Sequence, residues 1–79
     1  MTLKQAKEMM NIFYDNAMYI IEHRGRDLYD GVLHTFLDKA DAIVTTCIYT
    51  NSSDNVWQAA QNYKFELEDK LIENYKCMK

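Results

Sequence analysis

Apolar residues recur along this chain at intervals of three and four, the spacing of one face of an α-helix. Ala6, Met10, Phe13, Ala17 and Ile20 form a first stripe, bordered by Leu3 and Ile21. Tyr29, Val32, Leu33, Phe36, Ala40, Ile43 and Cys47 form a second, and Val56, Ala60, Tyr63, Leu67, Leu71 and Met78 a third. The pattern predicts helices over about 3–24, 28–50 and 54–77. Thr2 with Gln5 three residues on reads as a capping box, and Gly25 after His23 and Arg24 reads as a helix end. Asp27 is the expected N-cap of the second helix, with Asp30 as the alternative. Ser53, in the cluster Asn51-Ser52-Ser53, is the expected N-cap of the third.

Two places strain this reading. Gly31 falls in the first turns of the second helix and costs it about 1 kcal/mol relative to Ala. The tail Ile43-Val44-Thr45-Thr46-Cys47-Ile48-Tyr49-Thr50 has the composition of a strand. No other segment offers that tail a partner, so helix is retained. Three rods of similar length, about 33 Å for the first, joined by short links must turn back on each other. The expected fold is an all-α, antiparallel three-helix bundle forming a single domain over 1–79, assembled as a homo-oligomer, most simply a homodimer.

Composition narrows the class. The 79 residues include no Pro and two Gly, which disfavours an all-β protein. A hydrophobic share of 48% disfavours disorder. The longest apolar run, Ala17 to Ile21, is too short to span a bilayer, and the N-terminal stretch has no apolar signal core. A cytoplasmic setting with reduced thiols is therefore expected. Cys47 and Cys77 would lie roughly 30 Å apart along the third helix, too far for an internal disulfide. The net charge of −3 argues against direct nucleic-acid binding. Asn, Lys, Tyr and Ile account for 25 of the 79 residues, which suits AT-rich coding sequence such as that of phages and mobile elements.

Candidate chemistry is sparse. Asp30, His34, Asp38 and Asp41 share a helix face, a spacing that a metal could use. That face lies opposite the apolar stripe, so a solvated acidic surface is the simpler reading. Glu66, Asp69 and Glu73 form a second acidic face, interspersed with lysines. No cofactor, metal or catalytic residue is assigned. His23-Arg24-Gly25-Arg26 is the only basic cluster and fits a helix C-terminus.

The stronger signal is surplus apolar surface. Phe65 and Ile72 are seven apart and face away from the Leu67 stripe, with Trp57 and Tyr75 on the adjoining flank. On the first helix Tyr14 and Met18 widen the apolar arc on one side, Ile12 and Tyr19 on the other. This predicts partner-binding residues Trp57, Phe65, Ile72, Tyr75, Tyr14, Met18 and Tyr19. Asp38, Asp41, Glu68 and Asp69 would steer a basic partner, such as a nucleic-acid-facing protein surface. The expected function is a small, non-enzymatic protein-interaction module, in concrete form a phage or mobile-element accessory protein that blocks a host or defence protein sterically. The alternative is a metal- or nucleotide-dependent helical enzyme, or a ligand-binding protein, assembled by oligomerisation.

Overall fold

The structure, a computed structural model, describes residues 1–50 and 54–77, without the side chains of Arg26 and Asp54. It is all-α: α1 spans Leu3–Arg24, α2 Tyr29–Thr50 and α3 Asp54–Cys77, with a 3-10 turn at Arg26–Leu28. The expected cap at Ser53, its cluster Asn51-Ser52-Ser53, the core position Met78 and the Arg26 side chain of the basic cluster lie outside the described residues.

Local chemistry explains the first helix end to end. The Thr2 hydroxyl accepts a hydrogen bond from the Gln5 amide at 3.1 Å, and the Gln5 side chain accepts one from the Thr2 amide at 2.9 Å. This capping box satisfies two donors that a helix start leaves open, an effect of about 1 kcal/mol. Gly25 ends α1 with φ at +130°, a region that side chains with a Cβ avoid.

The start of α2 differs from the expectation. Asp27 is not its cap but lies inside the 3-10 turn, and Asp30 is the second residue of the helix. The Leu28 amide bonds the Gly25 carbonyl at 3.3 Å. The chain thus continues from one helix towards the next through a tight turn and has no open N-cap there. The β-rich tail stays helical. There the Thr46 hydroxyl donates to the Ala42 carbonyl at 2.9 Å, and the Thr50 hydroxyl to the Thr46 carbonyl at 2.7 Å. Both threonines thereby bind their own helix one turn back.

All three helices pack against one another around a shared core. Ala6, Met10, Ala17 and Ile21 come from α1, Phe36, Ala40, Ile43, Val44 and Cys47 from α2, and Ala60, Leu67 and Leu71 from α3. Two corrections to the periodicity follow. Ile21 rather than Ile20 is buried on α1. On α3 the buried row runs Ala60, Lys64, Leu67, Leu71, with Tyr63 at the rim. The lysine takes a core-facing place because its stem packs while its ammonium finds a carboxylate.

At one end Tyr29 stacks on Tyr75, with centroids 3.7 Å apart and an interplanar angle of 12°. At the other the Met1 ammonium donates to the Thr50 hydroxyl at 3.0 Å. The molecule measures 44 × 17 × 16 Å with a radius of gyration of 13.1 Å. A compact domain of this length would give about 11.6 Å; the excess reflects a rod with long, accessible sides. Among the described residues no helix is long and apolar enough to cross a membrane.

Candidate functional site

The α2 and α3 helices are bridged at mid-length by Lys64. Its side chain is buried, and its ammonium lies 2.5 Å from Asp41 Oδ1. The same ammonium sits 4.7 Å from the centre of the Phe65 ring. Phe65 itself is 46% exposed. Ile48, two helical turns beyond Asp41 and therefore on the same side of α2, is also exposed. An aromatic ring with a cation against its face thus stands in solvent on α3, and Ile48 is exposed about two helical turns further along the bundle on α2.

The other residues expected to join Phe65 are placed deeper. Ile72 is half-buried. Trp57 and Tyr75 are half-buried and pack against the core, Tyr75 in its stack with Tyr29. On α1, Tyr14 and Met18 fill the seam towards α3. The Tyr14 hydroxyl accepts a hydrogen bond from Asn74 Nδ2 at 2.6 Å, and its ring meets Phe36 edge-on at 6.4 Å. Burial pushes the Tyr14 phenol above its ordinary 10.0, partly offset by the Asn74 bond. Tyr19 is 59% exposed, with its ring 4.4 Å from that of His23. The seven residues therefore divide among the helix seams, the exposed face of α3 at Phe65 and the outer face of α1 at Tyr19.

The acidic residues also differ among themselves. Asp38 and Asp69 are exposed and Glu68 half-buried. Asp41 is occupied by Lys64, so its charge is compensated within the molecule. Asp38 lies 3.4 Å from His34 Nε2, an ion pair only when the imidazole is protonated. Asp30, His34, Asp38 and Asp41 are all exposed, as are Glu66, Asp69 and Glu73. Among the described residues no three His, Cys, Asp or Glu side chains gather into a metal-binding set. Cys47 is buried and Cys77 exposed, with no disulfide between them. Burial raises the Cys47 thiol above its ordinary 9.0, and the nearby N-terminal ammonium opposes this.

A second surface escaped the sequence reading. Between α1 and α2 lies an open groove of about 300 Å³, walled by Phe13, Asn16 and Ile20 on one side and by Leu28, Val32, Thr35 and Lys39 on the other. A shallower hollow of about 200 Å³ shares Phe13 and Lys39 and runs on to Met9, Ala42 and Thr46. The two are divided by the Lys39 ammonium, 5.1 Å above the Phe13 ring. The α2 wall, 28-32-35-39-42-46, alternates steps of four and three. That signal was present in the sequence but was hidden by the threonines and the lysine within it. A third, acidic depression at one end is lined by Asp27, Tyr29, Asp30 and Tyr75. Tyr29 is raised above its ordinary 10.0 there, first by burial and then by Asp30.

No protein-family model matches this chain, and no curated protein or solved structure does either.

Proposed function

We propose that the protein is a non-enzymatic interaction module that docks its α2/α3 face on a protein partner with a basic surface. The observation that carries this reading is Phe65, an aromatic ring exposed on the face of a bundle whose core is already closed. Aromatic side chains that protrude among polar neighbours are the usual anchors of protein interfaces. The net charge of −3, Glu68 and Asp69 three and four residues on from Phe65 along α3, and the exposed Asp38 on α2 favour a partner patch rich in Lys and Arg. The antiparallel sense of the bundle is supported by Tyr29 meeting Tyr75 and Met1 meeting Thr50. A phage or mobile-element accessory protein that covers a nucleic-acid-facing site of a host or defence enzyme is the concrete form. Its mechanism is steric occlusion in the cytoplasm, with the acidic residues accelerating encounter.

The test compares the wild type with Phe65→Asp, and with Phe65→Asp combined with Ile72→Asp, for a partner retained from source-cell lysate. Phe65→Asp should weaken capture by about 2 kcal/mol, roughly 30-fold, at unchanged helical circular dichroism. Rising salt should weaken wild-type capture. Retention that ignores both the substitution and salt rejects the reading. Loss of helicity in Phe65→Asp alone would show the ring to be structural.

A further inference from the structure

The α1 wall of the α1/α2 groove continues outward into a second stripe: Met9, Ile12, Asn16, Tyr19 and His23, at steps of three and four. Met9 is 37% exposed, Ile12 58% and Tyr19 59%. Apart from His23 the stripe carries no acidic or basic side chain over four turns. A helix face left to water is normally charged, whereas the charged side chains of α1, Lys4, Lys7, Glu8, Asp15, Glu22 and Arg24, all lie off this stripe. The groove beside the stripe has no acidic side chain among the described residues, and its two cations are both engaged: the Lys39 ammonium lies over the Phe13 ring and the Met1 ammonium donates to Thr50. A strongly basic partner gains nothing here, and a strongly acidic one meets only these two groups.

The stripe is complementary to itself. Turned end for end about Asn16, it sets Ile12 against Tyr19 and Met9 against His23, with Asn16 facing its own copy. A polar Asn at the centre of an apolar seam fixes register and oligomer number in paired helices. The available area also suits a second copy. A rod of about 33 Å, with two helices side by side spanning about 20 Å, offers roughly 700 Å² per protomer, close to the about 800 Å² of a standard interface.

We propose that this face binds a second copy of the chain. The α1 helices lie antiparallel across each other's α1/α2 groove, about a two-fold axis near Asn16. Such an isologous contact closes on itself. It uses no α3 residue and so stands independently of partner docking through Phe65.

The test measures solution mass by light scattering over a wide concentration series, with the exposed thiol removed as Cys77→Ser. The wild type should become a dimer as concentration rises. Ile12→Asp and Tyr19→Asp should remain monomeric at those concentrations with unchanged helicity, and Phe65→Asp should still dimerise. In the Cys77→Ser background, Asn16→Cys should be joined to its own copy by a short bismaleimide at least tenfold faster than Gln58→Cys on α3. A monomer at every concentration overturns the proposal, as does a dimer indifferent to Ile12→Asp and Tyr19→Asp. Preferential joining at Gln58→Cys, or loss of the dimer in Phe65→Asp, would move self-association to α3 and overturn it as well.

Discussion

Lys64 and Cys47 are buried in the bundle, and Tyr14 and Tyr29 half-buried. Lys64 shows what residue type conceals. Its place in the row Ala60, Lys64, Leu67, Leu71 is periodic, but a lysine reads as polar and the neighbouring Tyr63 reads as core. Only the position of Asp41 on α2 resolves the choice, and that is tertiary information. Tyr63 instead reaches outward, its hydroxyl donating to Asn11 Oδ1 at 2.5 Å. Cys47, Tyr14 and Tyr29 have a linked consequence. Each is raised in the folded chain, chiefly by burial, above ordinary values of 9.0 for the thiol and 10.0 for the phenols. The folded state therefore holds these protons more tightly than the unfolded state does. Their contribution is intact below the ordinary values and is lost as pH rises through the raised ones. Thermal midpoints should fall from about pH 9 upward, first through Cys47 and then through the tyrosines. Cys47→Ala should remove the earliest part of that fall relative to its own midpoint at neutral pH. A flat profile up to pH 10 in the wild type would contradict the burial of the thiol.

The helices themselves were legible, because long, strongly periodic stretches with cap residues carry their own signals. Thr2, Gln5 and Gly25 set both ends of α1, and the observed limits match the expected ones. The α1–α2 junction was less legible. A 3-10 turn needs no distinctive residue, and Asp27 looks like a cap wherever a helix begins. Gly31 is the third residue of α2, and a Cβ built on it meets nothing within 4 Å. Gly31→Ala should therefore stabilise the protein by about 0.5–1 kcal/mol, through helix propensity and a stiffer unfolded chain. Gly25→Ala, at φ +130°, should destabilise it by about 1 kcal/mol or more. Urea titration of the two variants should move the midpoint in opposite directions. A shift of the same sign in both would mean that α2 does not begin where Tyr29 places it.

On the scale of the whole molecule, a rod of three helices leaves two long sides for other proteins. The surplus of apolar surface was legible, but its location was not. Helical projection gives each helix an outer face without saying which neighbour covers its edges. Trp57 and Tyr75 were therefore grouped with Phe65, and Tyr14 and Met18 assigned to a second surface on α1, although all four are partly buried against the core. The groove between α1 and α2 was missed because most of the wall on its α2 side, continued into the adjoining hollow, comes from Thr35, Lys39, Ala42 and Thr46. The closing of that side by a second copy and of the other by a partner would cover Met9, Ile12, Tyr19 and Phe65.

The tail of α2 bears on how the protein fails once its fold is lost. From Ile43 to Thr50 the chain has eight residues with no charge, no glycine and no proline, rich in β-branched side chains. In the helix Ile43, Val44 and Cys47 are sequestered and Thr46 and Thr50 bond back to their own turn. Released from it, the same residues have the makings of a cross-β seed. Loss of the helix then becomes a route to fibrils, so that storage life depends on how often this one segment opens. Thr45→Lys, on an exposed position, should slow the growth of thioflavin-binding material near the melting temperature while moving that temperature little. Unchanged growth would place the seed elsewhere. Slowed growth would make the helical state of this segment, in which both hydroxyls fold back onto α2, the molecule's protection against precipitation.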